Sequence, residues 1–274
     1  MKKRILYITD LDGTLLNNSV EISDFTVDVI NSLIDDGMIF SYATARSRYT
    51  SSKLTKRLQI TVPVVIYNGT FLYDTVKEKR IVSNAFSQDE AQSILDRLLE
   101  SGVEPMIHAF LGTEEKYLFN EGKMSRGMAD FQSKRELDER RTPVDVYDIR
   151  PYEVFYYTCI DDNERLYPLY LEFKDEYQCL YTKDIYSGDY WLEILPNRAT
   201  KASAVKELKK LLKCDRVICF GDGTNDIAMF KEADEAYAVT NAHMELKKYA
   251  TDIIDSNEND GVAKWLLKNY GRIN

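Results

Sequence analysis

Histidine is scarce in this chain: His108 and His243 are the only two among 274 residues. No carboxylate or Ser/Cys pattern links them, which argues against a nucleophile–histidine triad. Cysteine is nearly as rare. Cys159, Cys179, Cys214 and Cys219 show neither a CxxC pair nor a Cys/His metal spacing. Cys219 lies in the apolar run Val217-Ile218-Cys219-Phe220 and reads as a buried free thiol, a usage that fits a reducing compartment. Positive charge is also short. Against 45 Asp and Glu there are 36 Lys and Arg, a net charge of −9, which argues against a general nucleic-acid binder. No apolar run approaches the ~18 residues of a membrane span. Met1-Lys2-Lys3-Arg4 imitates the start of a signal peptide, but Asp10 arrives before an apolar segment can form. The chain therefore reads as soluble and cytoplasmic, with no membrane or nucleic-acid partner and no obligatory protein partner. Repeats and low-complexity tracts are absent too.

What remains is ample for folding. Hydrophobic residues make up 44% and charged residues 30%, a globular composition, and at roughly ~150 residues per domain the length suggests two domains. The flanks alternate strand and helix patterns, the signal of a parallel sheet. Ile5–Thr9 reads as a strand, then a helix from Ser23 with Val27, Ile30, Leu33 and Ile34 on one face and Gly37 at its end. Strand 38–43, a helix through 49–58 and strand 63–67 continue the pattern. It returns with strand 190–195, helix 200–212, strand 216–220, strand 236–239 and helix 262–269. Between the flanks the character changes. Ser87-Gln88-Asp89-Glu90 is a capping box, extended stretches follow at 105–109, 116–119 and 153–160, and 134–141 reads as a charged, solvated connection. Ten of the 19 tyrosines fall between Tyr147 and Tyr190. The expected architecture is an α/β, Rossmann-like doubly wound parallel sheet core, residues 1–82 and 189–274, with an inserted α+β cap domain at 83–188.

Chemistry-bearing residues stand where predicted strands end. Asp10-Leu11-Asp12-Gly13-Thr14 closes the first strand, Thr44 the second, Asn68 the third, and Gly221-Asp222-Gly223-Thr224-Asn225-Asp226 a late one. Ligands of open α/β sheets bind at these carboxyl ends, so the loops are expected to converge on one crevice. In extended geometry residues i and i+2 share a side, so Asp10 and Asp12 can face one reaction centre, one attacking and the other moving protons. Four acids in one crevice call for a cation, and Mg²⁺ takes carboxylates, water and phosphate together. Thr14, Thr44 and Asn68 offer groups that orient phosphate oxygens. Arg46 is placed either to reach substrate or to cap a helix. Lys201 follows the N-cap Thr200, against the positive end of the helix dipole, where a bound phosphate would make it favourable.

As an ordered set these motifs resemble the haloacid dehalogenase-like phosphatases, Cof-type subgroup, over essentially the whole chain. The resemblance rests on Asp10-Leu11-Asp12-Gly13-Thr14, Thr44, Lys201 in Leu195-Pro196-Asn197-Arg198-Ala199-Thr200-Lys201, and the 221–226 segment. It implies Asp10 as nucleophile and Asp12 as general acid/base. It implies Mg²⁺ held by the Asp10 side chain, the Asp12 carbonyl and Asp222 with Asp226 nearby, and phosphate contacts from Thr44, Asn225 and Lys201. Ala45 and Ala202 stand where relatives usually carry Gly. The expected activity is hydrolysis of small phosphate monoesters, such as sugar phosphates, through an aspartyl-phosphate. The alternatives are a phosphomutase using the same intermediate and a non-catalytic sensor of a phosphorylated ligand.

Overall fold

The computed structural model describes residues 3–184 and 187–273. Met1 and Lys2 of the charged start, and Tyr186 of the tyrosine-rich stretch, lie outside the described residues. The chain forms two compact units, one of residues 1–83 and 200–274 and the other of residues 84–199.

In the first unit, β1 (Ile5–Thr9), α1 (Asp24–Asp35), β2 (Ile39–Tyr42), α2 (Arg48–Thr55), β3 (Val64–Ile66), β4 (Phe71–Asp74) and β5 (Lys79–Ser83) follow one another. The start of α1 obeys its local chemistry. Ser23 accepts from the amide of Thr26, while Val27, Ile30 and Leu33 turn into the core. In the second unit come α3 (Gln88–Glu100), β6 (Met106–Leu111), β7 (Glu114–Phe119), α4 (Arg126–Ser133), β8 (Arg141–Pro143), β9 (Glu153–Asp161), α5 (Asn163–Phe173), β10 (Gln178–Lys183) and β11 (Tyr190–Leu195). The first unit resumes with α6 (Lys201–Leu211), β12 (Arg216–Gly221), α7 (Ile227–Glu232), β13 (Glu235–Val239), α8 (Met244–Lys247), β14 (Asp252–Ile254) and α9 (Gly261–Ile273).

The first unit is built on a parallel sheet ordered β14-β13-β12-β1-β2. The burial of β1 is complete, as both faces of a parallel sheet are covered. From β1 the chain winds outward to β2, and from β12 it winds the other way to β13 and β14. The reversal lies between β1 and β12, the topological switch point where ligands bind in such sheets. The strand expected at 63–67 is shorter and belongs to an antiparallel sheet, β3-β4-β5. A single parallel bridge, Ala43 to Val65, ties it to the end of β2.

The second unit is α+β. Its sheet runs β10-β11-β9-β6-β7-β8, antiparallel except for β7 with β8. Leu95, Leu98, Leu166 and Leu169 from α3 and α5 pack on Ile107, Tyr157, Leu192 and Ile194. Met128 of α4 packs with Met106, Phe119 and Ile160. The strand 190–195, read from sequence as part of the parallel core, is β11 of this sheet, hydrogen-bonded to β9 and β10. The second crossing between units therefore falls after Ala199 rather than after residue 188. The segment 134–141 is not simply solvated either. Arg140 folds inward and pairs with Glu115 and Asp138. Among the described residues no helix is long and apolar enough to cross a membrane.

Candidate active site

Asp10 follows the last residue of β1, and its amide donates to the carbonyl of Phe220 on neighbouring β12 (2.9 Å). Strand pairing thereby sets the Asp10 backbone beside the loop that carries Asp222 and Asp226. Beyond Asp10 the chain makes one wide turn, closed by Leu16 N to Leu11 O (2.8 Å). Gly13 is required inside it. Its φ is +70°, and a Cβ there would lie 2.3 Å from an oxygen of Asp222, so any side chain meets both a left-handed backbone and a collision.

Three carboxylates meet at this point. Oxygens of Asp10, Asp222 and Asp226 lie within 4.8 Å of one another. Asp10 is 6% exposed, Asp226 fully buried, Asp222 intermediate. Lys201, 2% exposed, enters as the first residue of α6. Its Nζ donates to Asp10 Oδ1 and, at 2.7 Å, to Asp226 Oδ1. Burial opposes its charge, but Asp10 and Asp226 outweigh burial and hold its pKa above the ordinary lysine value. Burial pushes the Asp10 carboxyl up to about 7, against the pull of Lys201 and with the push of Asp226 and Asp222. Asp222 is also raised, by burial first, with the Thr14 hydrogen bond acting in the opposite direction. Three acids against one ammonium leave excess negative charge in a buried place.

Asp226 is fully engaged within the protein. Oδ2 accepts from the amides of Asp222 (3.1 Å) and Gly223 (3.0 Å), and Oδ1 from Lys201. The carboxylate shapes the 221–226 loop and anchors the lysine together. Thr14 is turned to a similar task. Its buried hydroxyl donates to Asp222 Oδ1 (3.0 Å), so it orients an acid where a phosphate contact was expected.

Asp12 has a side-chain partner that the sequence reading did not name. It lies past the strand, in the turn, and its half-exposed carboxylate is gripped by Arg46 through Nε (2.7 Å) and Nη2 (2.5 Å). Its side chain stands outside the three-carboxylate group. Arg46, expected either to reach substrate or to cap a helix, holds Asp12. Thr44 is fully buried, and its Oγ1 accepts from the amide of Arg46 (3.1 Å). Asn68 and Asn225 meet through their side-chain amides at 3.4 Å.

Two residues at the ends of later strands escaped the sequence reading. Asn241, just after β13, donates to the carbonyl of Gly13 (2.7 Å) and accepts from the amide of Asn257 (3.1 Å). Asn257 is buried and donates to the carbonyl of Leu16 (3.0 Å). Together they brace the turn that follows Asp10. The strand-end position of Asn241 was the available signal.

The donor set of Asp10, Asp222 and Asp226 is all oxygen, anionic and closely gathered, which fits a hard divalent cation such as Mg²⁺. The arrangement can hold such an ion beside a buried carboxylate whose other neighbour is a lysine, a setting suited to an anionic substrate.

The family model of the haloacid dehalogenase-like hydrolases matches residues 7–266. Among curated relatives, a 5-amino-6-(5-phospho-D-ribitylamino)uracil phosphatase of Bacillus subtilis is 26% identical, with 94% of this chain and 95% of the relative covered. A crystal structure from Thermotoga maritima superposes with TM-score 0.78 at 23% identity, covering 98% of this chain and 97% of that one. A haloacid dehalogenase-like hydrolase from Bacteroides thetaiotaomicron does so at 0.77 and 20% identity, covering 97% and 99%. The fold is shared through both units, and the motif residues gather at the switch point of the sheet. The chain belongs to the haloacid dehalogenase-like hydrolases and is an enzyme of that family.

Proposed function

We propose that this enzyme is a Mg²⁺-dependent phosphatase that hydrolyses small phosphate monoesters, sugar phosphates or related metabolites, through an aspartyl-phosphate on Asp10. The observation that carries the reading is the buried Asp10 carboxylate, bonded to Lys201 and gathered with Asp222 and Asp226. A sugar phosphate also fits the activity named for the Bacillus relative, whose substrate carries its phosphate on a ribityl chain.

In this reading an Asp10 oxygen attacks phosphorus, and the bond from phosphorus to the leaving oxygen breaks as Asp12 gives that oxygen a proton. Asp12 then takes a proton from water. The water oxygen bonds to phosphorus, the bond to Asp10 breaks, and inorganic phosphate and the free carboxylate result. Arg46 holds the Asp12 carboxylate with two hydrogen bonds and, in this reading, orients it toward the leaving oxygen. Lys201 offsets charge on the transferring group and holds the Asp10 oxygen it bonds. Thr44 and Asn225 are assigned to phosphate contacts, as is Asn68. Asp10 and Asp222, with the Asp12 carbonyl and Asp226 beside them, would hold Mg²⁺, which when bound supplies positive charge against the phosphoryl oxygens. The 84–199 unit is assigned the role of a cap that selects the leaving group, since the other residues named here answer only phosphate and metal. Residence in a reducing cytoplasm is part of this reading, supported by the four cysteines, which form no disulfide among the described residues.

A screen of sugar phosphates, nucleotides and cofactor phosphates with Mg²⁺, read as free phosphate release, tests the reaction, and isomer formation instead would identify a mutase. Asp10→Asn keeps the shape and removes the nucleophile, so turnover is expected to fall by at least about a thousandfold, some ~4 kcal/mol of barrier. Turnover within about tenfold of the parent would falsify the assignment.

A further inference from the structure

Three consecutive residues after β3 have positive φ: Tyr67 at 50°, Asn68 at 54° and Gly69 at 107°. Left-handed backbone is uncommon for residues other than glycine, and two such residues in succession persist only where the surroundings over-determine them. Here the surroundings are the site. The amide of Tyr67 donates to the carbonyl of Arg46 (3.1 Å), and that of Asn68 to the carbonyl of Thr44 (2.9 Å). The carbonyl of Tyr67 accepts from both the amide (3.0 Å) and the hydroxyl (2.8 Å) of Thr70, which is fully buried. Gly69 packs against the start of α6. A Cβ there would stand 2.0 Å from the carbonyl oxygen of Thr200 and 2.9 Å from the amide of Lys201.

We infer that the Tyr67-Asn68-Gly69 turn is a positioning element of the active site, its backbone holding the Thr44–Arg46 segment on one side and seating the helix that carries Lys201 on the other. Arg46 grips Asp12, and Lys201 reaches Asp10 and Asp226. One rigid turn thereby fixes the proton-moving carboxylate and the ammonium relative to each other without touching substrate through Gly69. The backbone strain is retained because relaxing it would shift both partners. The inference rests on the phosphatase reading for what the two partners do, and its test reads phosphate binding as well as turnover.

Gly37 supplies a matched control. It lies in the same unit at φ +95°, and a Cβ there would meet nothing within 4 Å. Gly69→Ala and Gly37→Ala therefore carry a similar backbone penalty, and only the first collides with the Lys201 helix. Turnover of a sugar phosphate is measured, and inorganic phosphate is titrated calorimetrically into the Mg²⁺-loaded protein. Gly69→Ala is expected to lose about a hundredfold in kcat and to bind phosphate about tenfold more weakly, while Gly37→Ala stays within about twofold on both counts. Should Gly69→Ala fail to fold, Thr70→Val keeps the volume and removes the hydroxyl that pins the turn. It is expected to lose about tenfold in kcat, with Thr70→Ser restoring it. Equal effects of the two glycine variants overturn the inference. So does a Thr70→Val protein indistinguishable from the parent, or one that Thr70→Ser does not restore. A parent that binds phosphate but hydrolyses no ester removes the phosphatase reading and leaves the turn to be judged on phosphate affinity alone.

Discussion

A lysine in the first turn of a helix sits against the positive end of the dipole, which disfavours it by a few tenths of a kcal/mol to about 1 kcal/mol. Lys201 bears this, and near-complete burial besides, because Asp10 and Asp226 both accept from it. Its position one residue after Thr200 was plain from the sequence; its two carboxylate partners, 191 and 25 residues away, were not. His108 gives the opposite case, a part-buried titratable side chain with little support. Its Nε2 meets the Thr158 hydroxyl at 3.3 Å, its Nδ1 has no partner among the described residues, and rings of Tyr117, Phe155 and Tyr156 surround it. Burial, helped by the nearby Arg140 charge, lowers its pKa to about 3. A histidine depressed on folding is neutral in the native state, and the unfolded chain binds the extra proton between the two values. Stability from this residue is thus complete above about pH 6.5 and is lost as pH falls toward 3, at ~1.4 kcal/mol per pH unit. His108→Phe is expected to flatten the acid side of the Tm-versus-pH curve. Parallel curves for parent and variant between pH 6.5 and 4 would rule out a part-buried neutral histidine.

Elements show where local chemistry suffices. Ser87 caps α3 and Thr200 caps α6, each accepting from the residue three positions on. Either residue changed to Ala should cost about 1 kcal/mol in unfolding free energy. Only Thr200→Ala is expected to lower kcat as well, because α6 carries Lys201 while α3 carries no residue of the proposed site. Denaturant melts and steady-state kinetics on the same preparations check this, and a kcat loss in Ser87→Ala of the same size would contradict it. The caps, the apolar face of α1 and the buried run of β1 were legible because their causes lie within a few residues. The strand 190–195 was legible as a strand but not as a neighbour of β9, since a short, largely apolar stretch carries no mark of which sheet receives it. β3 went astray for the same reason. Arg140 read as solvated because a run of charges gives no hint of the Glu115 and Asp138 that meet it.

At the scale of the whole molecule, the order β14-β13-β12-β1-β2 puts the ends of β1 and β12 side by side. That adjacency brings together Asp10 and Asp222, which are far apart in sequence, and it gathers negative charge that a cation would offset. Chelation is therefore expected to abolish turnover and Mg²⁺ to restore it, with Ca²⁺ a poor substitute because its looser shell misplaces nucleophile and phosphate. Binding to the native state alone also stabilises it. Mg²⁺ at about a hundred times its Kd should add roughly 2.7 kcal/mol, seen as a raised Tm in calorimetry. Asp222→Ala should lose that rise. Full turnover in excess chelator, or a Mg²⁺ response unchanged in Asp222→Ala, would count against the metal assignment.

The sequence by itself determined the α/β class, the inserted α+β segment and the short motifs at strand ends, because periodicity, capping and turn chemistry act over a few residues. It also named the acids and the lysine, because strand-end acids and a lysine at a helix start, taken as one ordered set, stand out where each alone would read as a turn or surface residue. Tertiary structure decided their partners. It turned the Thr14 hydroxyl onto Asp222, gave Asp12 to Arg46, engaged both oxygens of Asp226, and brought Asn241 and Asn257 to the turn after Asp10. These are pairings over tens to hundreds of residues. They depend on strand order and on how each loop leaves its strand, and the one-dimensional pattern encodes neither.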